Sequence, residues 1–219
     1  MIYLSALILI LYLTALIYGG ICFLRKKMPL YFKLLFFAVA CFFQEKLYFT
    51  VNYFCTGSWD NTFNFAIFGS GAAFAFMLSA NYGQFDGIVD DGSKEYAKYR
   101  HIAVIAPIIT GLISVMVAAH HIHMNHEWFF VVVILLVNLP GILASYFNMK
   151  LLIFPDVFMV KPLRACNAMG LIVIFASIIS EFYFVIDAGL LNMIVELLCS
   201  VSLIIWMICA RRGFKGWKT

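Results

Sequence analysis

Apolar residues run along this chain in seven long stretches, each broken by only a few polar side chains and set apart by short polar segments. A continuous apolar run of about 20 residues is what an α-helix needs to cross a hydrocarbon layer of about 30 Å. The runs predict helices over residues 2–24, 30–55, 63–82, 101–120, 128–148, 165–187 and 188–210.

The polar positions between these runs sort by end. Arg25, Lys26 and Lys27, then Lys94, Lys98 and Arg100, then Lys150, Lys161 and Arg164, and finally Arg211, Arg212, Lys215 and Lys218 fall at alternate ends. The intervening segments 56–62 and 121–127 and the turn at Asp187 carry no lysine or arginine. Short loops rich in lysine and arginine stay on the cytoplasmic side. The expected fold is therefore an all-α integral membrane protein, a seven-transmembrane-helix bundle with its N-terminus outside and its C-terminus cytoplasmic. A cell (plasma or inner) membrane is the expected location. Residues 1–219 read as one transmembrane domain without a separate soluble domain.

Composition sharpens that expectation. Of 219 residues, 64% are hydrophobic and 12% charged, more apolar surface than a water-soluble domain of this size can hide. The net charge of +4 is spread over helix flanks, so the bilayer is the expected partner and nucleic acid is not. The first run has no basic segment before it and is followed by Arg25, Lys26 and Lys27; it reads as a retained helix rather than a cleaved signal. Cys22, Cys41, Cys55, Cys166, Cys199 and Cys209 lie in or beside apolar runs with no CxxC pair, which favours packed thiols over disulfides.

Within the runs, Pro107 and Pro140 remove backbone donors and predict kinks in the fourth and fifth helices. Ala66, Gly69, Ser70 and Ala73 place small residues along one side of the third helix, where a neighbouring backbone can come close. Residues 84–93 contain three aspartates, but their spacing does not match a calcium-binding EF-hand. A turn at Asp91-Gly92 followed by a helix start at Ser93 is the simpler expectation.

Charges inside apolar runs cost about 2.5–3.5 kcal/mol each at a membrane's centre, so they require a reason. Glu45 and Lys46 lie in the second run, Glu181 in the sixth and Glu196 in the seventh. At about 1.5 Å per residue, counting from the basic ends brings all three carboxylates to one layer. Tyr48 and Asn52 share a helical face with Glu45, Ser177 is one turn from Glu181, and Asn192 and Ser200 flank Glu196. Asn138 and Ser145 give the fifth helix a similar stripe. Glu45, Lys46, Tyr48, Asn52, Ser177, Glu181, Asn192 and Glu196 thus form an expected ligand- or proton-binding set. A buried ion-pair and hydrogen-bond network explains the same residues without a ligand.

A second set lies at the expected outer surface, where His120, His123, His126 and Glu127 are spaced to share a metal ion. There is no HExxH motif and no cysteine among them, so an aqueous loop without a resident metal is the simpler expectation, with a pH-sensing loop as a further alternative. A retinal cofactor is not expected, because residues 188–210 contain no lysine for a Schiff base. The leading functional expectation is a small secondary transporter for a cationic or polar solute, coupled to protons. A homo-oligomer is a further partner expectation. A membrane sensor or receptor speaking through a partner protein remains open. So does a membrane-embedded hydrolase, although the histidines crowd at an edge rather than within the helices, which argues against an enzyme.

Overall fold

Nowhere does the chain alternate apolar and polar residues for long; its apolar content comes in uninterrupted runs that satisfy their backbone groups only as helices. The computed structural model describes residues 2–25, 28–57, 66–86, 89–125, 128–155, 161–185 and 189–217. Among them there is no strand. The helices are α1 (Ile2–Phe23), α2 (Leu30–Thr56), α3 (Ile67–Asn81), α4 (Ala97–Ala103), α5 (Ile105–Asn125), α6 (Trp128–Ile153), α7 (Lys161–Val185) and α8 (Gly189–Trp217). A π-helical turn, Tyr82–Asp86, continues α3. Among the described residues, six helical stretches are long and apolar enough to cross a membrane, α4 and α5 together forming one of them, while α3 is apolar but shorter.

Six helices close a ring. In order around it, α1 packs on α2, α2 on α3, α3 on α6, α6 on α7, α7 on α8, and α8 on α1. Helix α5 stands outside, buttressing α6 and α7. The ring's interior is filled by Tyr12, Phe32, Phe42, Phe74, Ile178 and Trp206. Large apolar side chains also point outward, among them Ile10, Ile17, Leu112, Leu136 and Leu198. Water would penalise such a surface, whereas lipid would not.

Glycine decides how closely the ring can draw together. A Cβ on Gly69 would stand 3.1 Å from the carbonyl oxygen of Cys41 and 2.9 Å from Glu45 Cβ, so α3 presses directly on the backbone of α2. Ser70 and Ala73 are buried on the same helix, and the small-residue seam read from the sequence is a true contact. On α6, Gly141 accepts the ring of Phe74 in the same manner.

Several boundaries differ from the sequence expectation. Helix α7 begins at Lys161, and α8 continues to Trp217 through Arg211 and Arg212. Charged ends stop a hydropathy count but not a helix, because lysine and arginine are good helix formers. The predicted helix start at Ser93 is replaced by a start at Ala97. Asp90 and Asp91 instead accept from the backbone N–H groups of Gly92 and Ser93 at 3.0 and 2.8 Å, and Gly92 adopts φ 78°. Helix is thereby delayed. The fourth span is interrupted at Val104. Pro107 explains the break, since it cannot donate to the carbonyl of Ala103 and its ring crowds that turn. Pro140 lies inside an unbroken α6.

Candidate functional site

The polar interior centres on Glu196 of α8. Its Oε1 accepts from the Lys46 ammonium of α2 and from the Ser180 hydroxyl of α7. Its Oε2 accepts from the Tyr12 hydroxyl of α1 at 3.1 Å. Ser180 also lies 2.7 Å from Asn192 Oδ1; with one hydroxyl hydrogen it serves one acceptor at a time. Four helices are thus tied to one carboxylate.

The other two carboxylates are less well supplied. Glu45 Oε1 is 3.9 Å from Lys46 Nζ, and its Oε2 is buried with no hydrogen-bond partner. Glu181 Oε2 accepts from Asn138 Nδ2 at 2.8 Å, while its Oε1 and the Asn138 Oδ1 are both unpartnered. Glu45 feels the charges of Lys46, Glu196 and Glu181, so the three acids form one electrostatic unit. Phe49 lies 5.7 Å from Lys46 Nζ and adds a cation–π contact.

The sequence-derived set divides accordingly. Glu45, Lys46, Glu181, Asn192 and Glu196 come together. Ser177 makes no hydrogen bond among the described residues; Ser180, three residues on, reaches the cluster instead. Tyr48 lies apart from the cluster: it is 47% exposed on the outside of the ring. With Asn52 it lines a shallow outward groove of about 400 Å³ that also includes Gln44 and Val51. The reason is rotational, because the inward direction of α2 runs through Phe42 and Glu45, and Tyr48 falls just beyond its edge. Ser200 bonds only back to the carbonyl of Leu197.

Tyr12 was not singled out by sequence reasoning. It is the one hydroxyl-bearing aromatic near the middle of α1, and an amphipathic ring in a lipid-depth position needs a partner for its hydroxyl; that signal was legible. Ser145, read as part of the same stripe as Asn138, instead meets Thr110 of α5 at 3.1 Å.

A second charged cluster sits about 18 Å along α6 from Asn138, by 12 residues of helical rise. Lys150, only 4% exposed, contacts Asp86 at 2.5 Å and Asp90 at 2.6 Å. Arg100 of α4 closes the group on Asp90 at 2.7 Å. Lys150 is more than a helix flank: it anchors the segment after α3. Burial works to raise the Asp90 pKa, but the hydrogen bonds from Lys150 and the Gly92 N–H, with the Lys150 and Arg100 charges, outweigh it and hold Asp90 below its ordinary value.

Of the histidine set, His120 and His123 lie on the last turns of α5, with His123 exposed. His126 and Glu127 fall outside the described residues. Among the described residues, no three histidine, cysteine, aspartate or glutamate side chains gather closely enough to hold a metal ion. All six cysteines are free, three of them buried and Cys55 exposed.

Fold and cluster together define an all-helical bundle of membrane-spanning dimensions with a buried lysine–carboxylate centre. No family model, curated protein or solved structure matches the chain.

Proposed function

We propose that the chain is a seven-span membrane protein, N-terminus outside and C-terminus cytoplasmic, that carries a small cationic or polar solute in exchange with protons. One observation carries this reading: three carboxylates share the ring's interior with a single lysine, and two of the three hold an oxygen with no partner. Such an excess of buried negative charge is costly unless protons or a cation neutralise it. A site that must be neutralised, set between helices that touch through glycine, suits a carrier that loads and unloads. The one-sided lysine and arginine distribution supports the orientation. For the seventh span, α3 and its π-helical turn together cover 67–86, about 30 Å of helix by rise per residue. The sensor and hydrolase readings have no comparable observation behind them.

The test is flux. Purified protein in liposomes loaded with a pH-sensitive dye should change internal pH when sodium, potassium, methylammonium or guanidinium is added outside. Glu181→Gln should abolish the response. A wild-type protein that moves neither protons nor any of these cations would overturn the carrier reading.

A further inference from the structure

The three carboxylates are not equivalent. Glu196 is satisfied on both oxygens by Lys46, Ser180 and Tyr12, so it already holds its counter-ion. Within the cluster the unpartnered atoms are Glu45 Oε2, Glu181 Oε1 and Asn138 Oδ1; the others among the described residues, Asn81 Oδ1, Ser93 Oγ and Asn167 Oδ1, lie apart from one another in the chain. The three in the cluster are acceptors without a hydrogen-bond partner; the hydroxyl beside Glu45, that of Ser70, donates instead to the Ile67 carbonyl at 2.9 Å. Asn138 is fully buried, and its amide is not an acid, so the shortage of donors does not reduce to repulsion among glutamates. Helix α3 bridges these groups, with Gly69 against Glu45 and Gly71 against Val137, the residue before Asn138. Buried acceptors without donors are rare in folded proteins because each forfeits its hydration.

From this imbalance we propose that Glu45, Glu181 and the Asn138 side-chain carbonyl line a site for one cation that carries its own hydrogen-bond donors, a protonated amine or a hydrated proton, while Glu196–Lys46 is a fixed ion pair beside it. This deepens the carrier reading and rests on it. An inner-sphere metal would need several oxygens within about 2.0–2.6 Å of one point, and the three carboxylates do not converge in that way. A donor-bearing cation spans acceptors that stand farther apart. Its N–H or O–H groups supply what the three oxygens lack, and its charge offsets the excess acid. Lys46 hydrogen-bonds Glu196 and stands 3.9 Å from Glu45 Oε1, but it gives no hydrogen bond to either unpartnered carboxylate oxygen.

Methylammonium is the probe, its binding to detergent-purified protein read by calorimetry and by the shift in thermal unfolding. Wild type should bind it in competition with protons. Glu45→Gln, Glu181→Gln and Asn138→Leu should each weaken binding on the order of tenfold or more, the loss of one charge-assisted hydrogen bond. Tyr12→Phe, which removes a hydroxyl shared by Glu196 and Cys199, should lower stability and leave methylammonium affinity within about twofold, since it removes none of the three proposed contacts. Two results overturn the site: no methylammonium binding at any pH at which wild type stays folded, or binding that survives all three site variants. Binding with no flux in liposomes would keep the site and overturn the carrier. Flux that survives Glu45→Gln and Glu181→Gln would do the reverse.

Discussion

Tyr12 on α1 donates its hydroxyl hydrogen to Glu196 on α8 at 3.1 Å, joining residues 184 positions apart in the chain. This bond helps close the ring of helices and completes the coordination of the carboxylate that already holds Lys46. Replacing Tyr12 with phenylalanine keeps the ring's packing and removes only the donor. A buried carboxylate oxygen left without a partner costs about 1–3 kcal/mol. Equilibrium unfolding of purified Tyr12→Phe should show a loss of that size, and an unchanged midpoint would mean the bond contributes nothing.

Lys46 and Glu196 should be strongly coupled. Removing one member of a buried pair strands the other charge, at roughly 3–5 kcal/mol. Lys46→Met and Glu196→Gln should each destabilise the protein, and the double variant should lose clearly less than the two losses added. Strict additivity in that cycle would contradict the ion pair.

Gly69 offers a steric test. Its Cβ position meets the Cys41 carbonyl oxygen and Glu45 Cβ, so Gly69→Ala should push α3 from α2 at about 1–3 kcal/mol. At Gly83 the added carbon meets nothing within 4 Å. Gly83→Ala should therefore stay within about 0.5 kcal/mol of wild type. Thermal melts of the two proteins side by side decide the matter, and equal midpoints would remove the close approach.

The Asp90 cluster predicts an acid limb of stability. Its pKa is lowered in the folded protein, so the unfolded chain takes up the proton first as pH falls. The stabilisation is complete above the unfolded value, about 3.9, and is lost as pH falls through the lower folded value. Melting temperature measured against pH should decline there in wild type, and Asp90→Asn should flatten that decline. An identical acid limb in the variant would show that Asp90 is not its source.

Cys55 follows from the proposed orientation. It is exposed near the end of α2, which should face outward, so a membrane-impermeant maleimide should label it on intact cells. Labelling only after the cells are opened would reverse the topology.

Much of the fold was legible because hydrophobicity is a property of each residue and adds along a run. The apolar stretches and the lysine and arginine flanks were readable for that reason. So was the seam of small residues on α3, since a side chain's size does not depend on its neighbours. Helix ends were less legible: at Ser93 the aspartate side chains won the backbone N–H groups, and at Arg211 and Arg212 the helix outlasted its apolar face.

The sequence by itself determined that Glu45, Lys46, Glu181 and Glu196 stand as isolated charges within apolar helices, and that such charges must find one another or a ligand. Only the tertiary structure decided how they divide. It turned Tyr48 outward, brought in Tyr12 and Ser180, set Asn138 on Glu181, hydrogen-bonded Lys46 to Glu196, and left Glu45 and Glu181 each with an unsatisfied oxygen. The reason is geometric. Depth along a helix follows from counting residues, but pairing depends on each helix's rotation and on which helices touch. Both are set by packing across the whole ring.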